Sequence, residues 1–375
     1  MSKKILTIVG ARPQFIKAAA VSRAIAASFD QKLNELIVHT GQHYDHGMSQ
    51  LFFDELNIPN PAYHLGIGSA SRQEQIHLMK NALADVLHRE APDAVLVYGD
   101  TNSTLAGAIA ADQLNIPVIH VEAGLRSFNN QMPEELNRIE TDKLASMMFV
   151  PTPQGLKNLE AEGFKVRYSG RSSKETPSIF LCGDVMYDNA LYYRNNISNK
   201  LCADMKLRGA YAIATIHRDH NTDDLVRLSS LIHSLIKITE VTGLNVIFPI
   251  HPRTSKSMTA ELKSSIDNCD KLILTEPLSY LEMISLLKDS HIVLTDSGGV
   301  QKESYFFNKP CVILRPQTEW VELVEHGAAI LADTDEEKIL TGARNLLSKK
   351  ITDWPEFYGD GHAAEFICQK IVEHF

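Results

Sequence analysis

Five times in its first half the chain rises into a short apolar run and then falls into a longer segment of helical period. The runs are "ILTIV", "LIVHT", "VLVYG", "PVIHV" and "MMFVPT". Unbroken apolar runs, as opposed to alternating ones, are what strands covered on both faces look like, and the helical segments between them supply the crossovers a parallel sheet needs. After the polar, Ser-rich stretch "RYSGRSSKETPS", which ends at Ser178, the rhythm restarts with "YAIATI", "NVIFPI", "KLILT", "HIVLT" and "CVILR". The expected fold class is therefore α/β with two doubly wound domains, 1–178 and 179–358. Residues 359–375, containing "AAEFICQKIVEHF", are expected to form a closing amphipathic helix. With 375 residues of which 44% are hydrophobic, the chain has the material to fill two cores. Within the second half, Leu225, Leu228, Leu231, Ile232, Leu235 and Ile236 recur at helical spacing and predict a helix over 222–238, capped by Asn221 or Thr222.

Bulk charge excludes some functions. A net charge of −9 offers no general attraction to nucleic acid or anionic lipid, so any phosphate site has to be local. The apolar run ahead of Gly10 is too short for a signal-peptide core or a membrane span, and a cytoplasmic location is expected. Five scattered cysteines without a C-x-x-C pair fit reduced thiols, and no metal or cofactor is expected.

In open α/β sheets, ligands bind beyond the carboxyl ends of the strands, so the polar residues that follow each apolar run are the candidates. In the first half these are Gly10 to Pro13, Gly41 to His43, Gly99 to Ser103 and Glu122 to Arg126. In the second half they are His217-Arg218, His251 to Arg253, Asp296 to Gly299 and Arg315. Any one of them could be a helix cap or a hydrogen-bonded strand end. Nearly every strand, however, ends in a charged or phosphate-compatible group, which capping alone does not require. The most specific stretch is "TDSGGVQKE": glycines after a strand let backbone N–H groups face an anion at a helix N-terminus. It is neither a G-x-G-x-x-G dinucleotide fingerprint nor a P-loop, which argues against NAD and ATP. Glu303, inside that helix, is placed to accept from a ribose diol. Arg12, His217, Arg253 and Arg315 are candidate cations for a diphosphate. Asp333 and Asp335 form a D-x-D that reads as a helix start ahead of "EEKIL" and not as a metal motif. Asp100, Glu122 and Glu134 remain as acid and base groups in the first half, and a diphosphate cradle beside such groups describes an enzyme of nucleotide sugars.

The motifs "GARPQFIK", "YGDTNST", "HVEAGLRS", "MPEELNR", His217-Arg218, His251-Pro252, "LTDSGGVQKE", "QTEW" and "YGDG" occur in an order and spacing that resemble the non-hydrolysing UDP-N-acetylglucosamine 2-epimerases over essentially the whole chain. The resemblance implies a glycosyltransferase-B-like architecture of two Rossmann-like domains, the catalytic carboxylates on the first and UDP binding on the second. It implies a ligand in the interdomain cleft, a last helix returning to the first domain, and a homodimer. It also implies the chemistry: elimination of UDP across C1–C2 gives a 2-acetamidoglucal, and UDP adds back after C2 is reprotonated on its other face. By the same resemblance Asp100, Glu122 and Glu134 match catalytic carboxylates, and Arg12, Lys17 and His217 match residues near the diphosphate. Ser297, Gly298, Gly299 and Glu303 match diphosphate and ribose contacts. Met283 stands where the family often stacks an aromatic ring on uracil. Glu135 is expected to be a solvated or salt-bridged neighbour outside the chemistry.

One motif departs from the pattern. Where many relatives carry Q-H-R-E-M, part of a second site at which UDP-GlcNAc activates the enzyme, this chain has Gln42-His43-Tyr44-Asp45-His46-Gly47-Met48. Other variants resemble the branch that includes epimerases of UDP-2,3-diacetamido-2,3-dideoxyglucuronic acid, whose extra C6 carboxylate would require a cation; Arg126 and Arg138 are candidates. UDP-GlcNAc is the leading expected substrate and the diacetamido-uronate the alternative. A UDP-sugar transferase on the same scaffold needs one base and leaves three carboxylates unexplained.

Overall fold

A computed structural model describes residues 2–42, 52–166, 172–194 and 209–375. The chain divides into two compact units, Met1–Leu191 with Glu356–Phe375, and Tyr192–Pro355.

The first unit is built on a sheet of seven strands in the order β3-β2-β1-β4-β5-β6-β7. These are β1 (Lys3–Val9), β2 (Leu33–His39), β3 (Tyr63–His64), β4 (Ala94–Tyr98), β5 (Val118–Val121), β6 (Met147–Val150) and β7 (Ser178–Leu181). Every pairing is parallel. All five residues of β4 are fully buried, as an unbroken apolar run in a doubly covered sheet requires. The second unit repeats the plan with β8 (Tyr211–Thr215), β9 (Asn245–Pro249), β10 (Leu272–Thr275), β11 (Ile292–Thr295), β12 (Cys311–Ile313) and β13 (Ala329–Leu331), ordered β10-β9-β8-β11-β12-β13 and again parallel. Strand order reverses between β1 and β4 in the first sheet and between β8 and β11 in the second. Those two switch points are where a doubly wound sheet opens a crevice for ligands.

The structure shifts the expected boundary at 178. β7 begins there and pairs with β6, so the strand after the Ser-rich stretch closes the first sheet instead of opening the second. The division falls after Leu191, inside the helix Val185–Arg194. The helix Ala363–His374 packs on the helix Arg12–Ala24 of the first unit. Its N-terminus is capped from a distance: the Asp188 carboxylate accepts from the N–H groups of Ala363 at 3.2 Å and Ala364 at 2.7 Å. The helix predicted over 222–238 runs Leu225–Thr242 and is capped by Asp224, which accepts from Val226 and Arg227. Neither Asn221 nor Thr222 caps it, because both lie in a separate turn, Asp219–Thr222. Asp335 caps the helix Glu336–Ser348 by accepting from Lys338, and Asp333 pairs with Arg227.

Candidate functional site

At the first switch point, Gln14 wires the end of β1 to the end of β4. Its side-chain oxygen accepts from the N–H groups of Gly10 (2.9 Å) and Ala11 (3.1 Å), and its amide donates to the Tyr98 carbonyl and to Thr104 Oγ1. Arg12 then opens the helix, exposed, with its guanidinium 5.0 Å from the centre of the Phe52 ring. One turn further on, Lys17 is buried and forms an ion pair with Glu122. Glu122 follows β5 with φ +70°, a left-handed conformation that costs a non-glycine residue of order 1–3 kcal/mol. Gly99, after β4, also has positive φ, and here glycine is required: a Cβ would stand 2.9 Å from Lys17 Nζ and 3.2 Å from Glu122 Oε1. The Gly99–Asp100 turn therefore lies directly against the Lys17–Glu122 pair.

Asp100 pairs with Arg138, and Arg138 also holds Glu135 at 2.9 Å. Glu134 is half-buried in the first turn of the helix Pro133–Leu144, where the helix dipole favours a carboxylate. Glu135 is not solvated. It is 1% exposed and accepts from the Ser127 N–H, the Ser127 hydroxyl and the Phe128 N–H, so it shapes the loop ahead of Glu134. Arg126 is 3% exposed and committed to internal partners: Nε and Nη2 bond Glu162, Nη2 also pairs with Asp142, and Nη1 donates to the Leu125 carbonyl. The structure thus gives Arg126 a packing role. Arg138, shared between two carboxylates, is likewise committed. Of the variant "QHYDHGM" motif, His43 to Met48 lie outside the described residues, while the Gln42 side chain accepts from the Ser103 N–H and hydroxyl.

At the second switch point, His217 follows β8 and Asp296 follows β11. Asp296 is fully buried and accepts from His217 Nδ1 (3.0 Å), from the backbone N–H groups of His217 and Arg218, and from the Asn221 amide. Burial works to raise its pKa, but the His217 contact and the N–H donors outweigh it and hold the carboxyl below the usual range. With Nδ1 turned to Asp296, the half-exposed His217 ring has its Nε2 side for other partners. Local spacing named Asp296 only as a strand end; its role as the residue that orients His217 depends on β8 and β11 being neighbours. Ser297 caps the helix Gly298–Phe306, and Glu303 is buried one turn in. Gly298 is tightly packed, since a Cβ would meet Glu319 Oε1 at 2.2 Å. Arg315 is buried and pairs with that same Glu319 at 3.1 Å, so it reaches the cradle already neutralised. Arg253 is paired with Asp219 and Asp223 at the surface, where such contacts exchange readily. Met283 is buried on the helix Tyr280–Asp289, which packs against the helix carrying Glu303.

The geometry therefore gathers Lys17, Asp100 and Glu122 at one sheet and His217, Asp296 and Ser297 to Gly299 at the other. Among the described residues no group of three or more His, Cys, Asp and Glu side chains converges to hold a metal ion, and no helix is long and apolar enough to cross a membrane.

The family model for UDP-N-acetylglucosamine 2-epimerase matches residues 26–372. The UDP-2,3-diacetamido-2,3-dideoxy-D-glucuronate 2-epimerase of Pseudomonas aeruginosa is 45% identical over 370 residues, covering 99% of each chain. A UDP-N-acetylglucosamine 2-epimerase homolog of Methanococcus maripaludis is 48% identical over 342 residues, 90% of each. The crystal structure of the Methanocaldococcus jannaschii UDP-GlcNAc 2-epimerase, in complex with UDP-GlcNAc and UDP, superposes with a TM-score of 0.88 at 38% identity, covering 99% of each chain.

Proposed function

The chain belongs to the UDP-N-acetylglucosamine 2-epimerase family, isomerases that act on UDP-sugars, and on that premise we propose that it inverts C2 of UDP-GlcNAc to give UDP-ManNAc. The observation that carries the residue assignment is the Lys17–Glu122 pair lying against the Gly99–Asp100 turn at a sheet switch point.

The proton on C2 is too weakly acidic for simple removal, so the reaction runs as an elimination. One carboxylate takes the C2 proton, the C1–O bond to UDP breaks, and the C1–C2 bond becomes double in a 2-acetamidoglucal. A second acid then delivers a proton to the opposite face of C2, and the UDP oxygen rejoins C1. Asp100, Glu122 and Glu134 supply the acid and base groups. Lys17 pairs with Glu122 and fixes where its carboxylate stands. The departing diphosphate is stabilised by the N-terminus of the helix Gly298–Phe306 and by His217 held on Asp296. Glu303 binds the ribose diol and Met283 covers the base. A homodimer working in the cytoplasm belongs to the same proposal.

The diacetamido-uronate is the second reading, favoured by the Pseudomonas relative. Against it, Arg126 and Arg138 both have internal carboxylate partners, which removes the two cations expected to meet a C6 carboxylate. Incubation in deuterated water decides between them: deuterium enters C2 of both epimers of the true substrate. Exchange with the uronate alone would replace the UDP-GlcNAc assignment, and exchange with neither, alongside sugar transfer to an acceptor, would replace epimerisation with glycosyl transfer.

A further inference from the structure

His120 is the fully buried third residue of β5, two positions ahead of Glu122, and no step above uses it. Both of its ring nitrogens meet acceptors: Nδ1 lies 2.7 Å from Asp142 Oδ1, and Nε2 lies 2.8 Å from the carbonyl oxygen of Gly99. A carbonyl oxygen only accepts, so the Gly99 contact is made by Nε2 as donor. Asp142 holds the other side of the ring. It also pairs with Arg126 at 2.8 Å and accepts from the Gly124 N–H at 3.2 Å, and His120 with Arg126 overcomes the upward pull of burial to keep its carboxyl below the ordinary range.

The contact on Gly99 has a geometric result. Gly99 donates its own N–H to the Val121 carbonyl at 2.9 Å and gives its carbonyl to His120, so the turn that presents Asp100 is fastened at both polar atoms to the segment that presents Glu122. The anchor of this fastening, Asp142, sits on the helix Pro133–Leu144 that carries Glu134 in its first turn. One buried ring thus ties together the three elements that carry Asp100, Glu122 and Glu134.

We propose that His120 is a positioning residue for C2 inversion: through the Asp142–His120–Gly99 chain it fixes the spacing of Asp100 and Glu122 without touching the sugar. This rests on the epimerase reading above, so wild-type deuterium exchange at C2 is established first, and its failure would count against that reading alone. Two substitutions then separate the ring's two contacts. In His120→Gln the terminal amide stands near the former Nε2 and keeps the bond to Gly99. In His120→Asn the amide stands near the former Nδ1, keeps Asp142 and lets Gly99 go. Because a misplacement of ~1 Å costs ~10²-fold in rate, His120→Asn is expected to lower kcat by about that factor, with KM and UDP affinity within about threefold of wild type. His120→Gln is expected to recover kcat to within about tenfold of wild type.

If His120→Asn keeps kcat within threefold, or if the two variants lose kcat, KM and UDP binding together, the positioning role is overturned. Should neither variant fold, nitrogen NMR of labelled histidine in the wild-type protein decides: an Nε2–H of His120 hydrogen-bonded to the Gly99 carbonyl supports the chain, and an unprotonated Nε2 overturns it.

Discussion

Replacing Asp188 with Asn should change how the stability of the first unit depends on pH, in a direction and amount that follow from one buried carboxylate. Asp188 is 6% exposed and its pKa is raised to about 6. Burial is the main cause, opposed by the N–H groups of Ala364 and Ala363 and assisted by the negative charges of Glu365 and Asp184. A carboxyl whose folded pKa lies above its unfolded value of 3.8 binds its proton more tightly in the folded state. Its favourable contribution is complete below pH ~3.8 and is lost as pH rises through ~6. With 1.36 kcal/mol per pKa unit, the whole span is ~3 kcal/mol, of which ~2 kcal/mol falls between pH 4.5 and 8. Asparagine does not titrate. It also accepts less well from two N–H groups, which adds an offset that is the same at every pH. The difference in stability, variant minus wild type, should therefore climb by ~2 kcal/mol from pH 4.5 to pH 8, or ~4–8 °C in the difference of melting temperatures for a unit of this size. Paired thermal melts across that range measure it. A flat difference, or one that falls with pH, would mean that the carboxylate is better solvated or better paired than its burial and contacts indicate.

Asp296→Asn removes the charge that four donors share; kcat should fall ~10²-fold and the second unit should lose ~2–3 kcal/mol, read by steady-state kinetics and melting. Unchanged kcat would remove His217 from the chemistry. Glu135→Gln leaves the buried Arg138 without one of its two anions and the Ser127–Phe128 backbone with one acceptor in place of two, at a cost of ~3 kcal/mol. Limited proteolysis should then cut within 127–131, and an uncut loop would show that Glu135 does not shape it. Gly298→Ala pushes a methyl group into Glu319 and breaks its pair with Arg315; calorimetry should show UDP affinity lowered ~10-fold with little change in melting.

The βα rhythm was legible because burial on both faces writes strands as apolar runs, and the polar residue after each run marks the carboxyl edge where both switch points lie. The boundary was not, because a Ser-rich loop looks like a linker whether the strand after it joins the old sheet or starts a new one. Pairing of β7 with β6 is a long-range fact. Charge partners were hidden for the same reason. Nothing near Arg126 in the sequence reveals that Asp142 and Glu162 neutralise it, and Glu134 and Glu135 are alike as letters although one is half-exposed and the other holds a loop. Gln14, His120 and Asp296 act on backbone atoms of other strands, so their roles exist only once the strand order does.

That the first unit takes in residues 356–375 while the second is one continuous stretch has a consequence for synthesis on the ribosome. Domains fold as units as the chain emerges, usually with the N-terminal one leading. Here the leading unit has to wait: its helix Arg12–Ala24 packs on β1 and β4 but leaves one face uncovered until Ala363–His374 has been made, and the Asp188 carboxylate has no helix end to cap. The second unit, complete once Pro355 has emerged, can finish first. A nascent chain stalled before Glu356 should therefore show a protease-resistant second unit attached to a first unit that is still open.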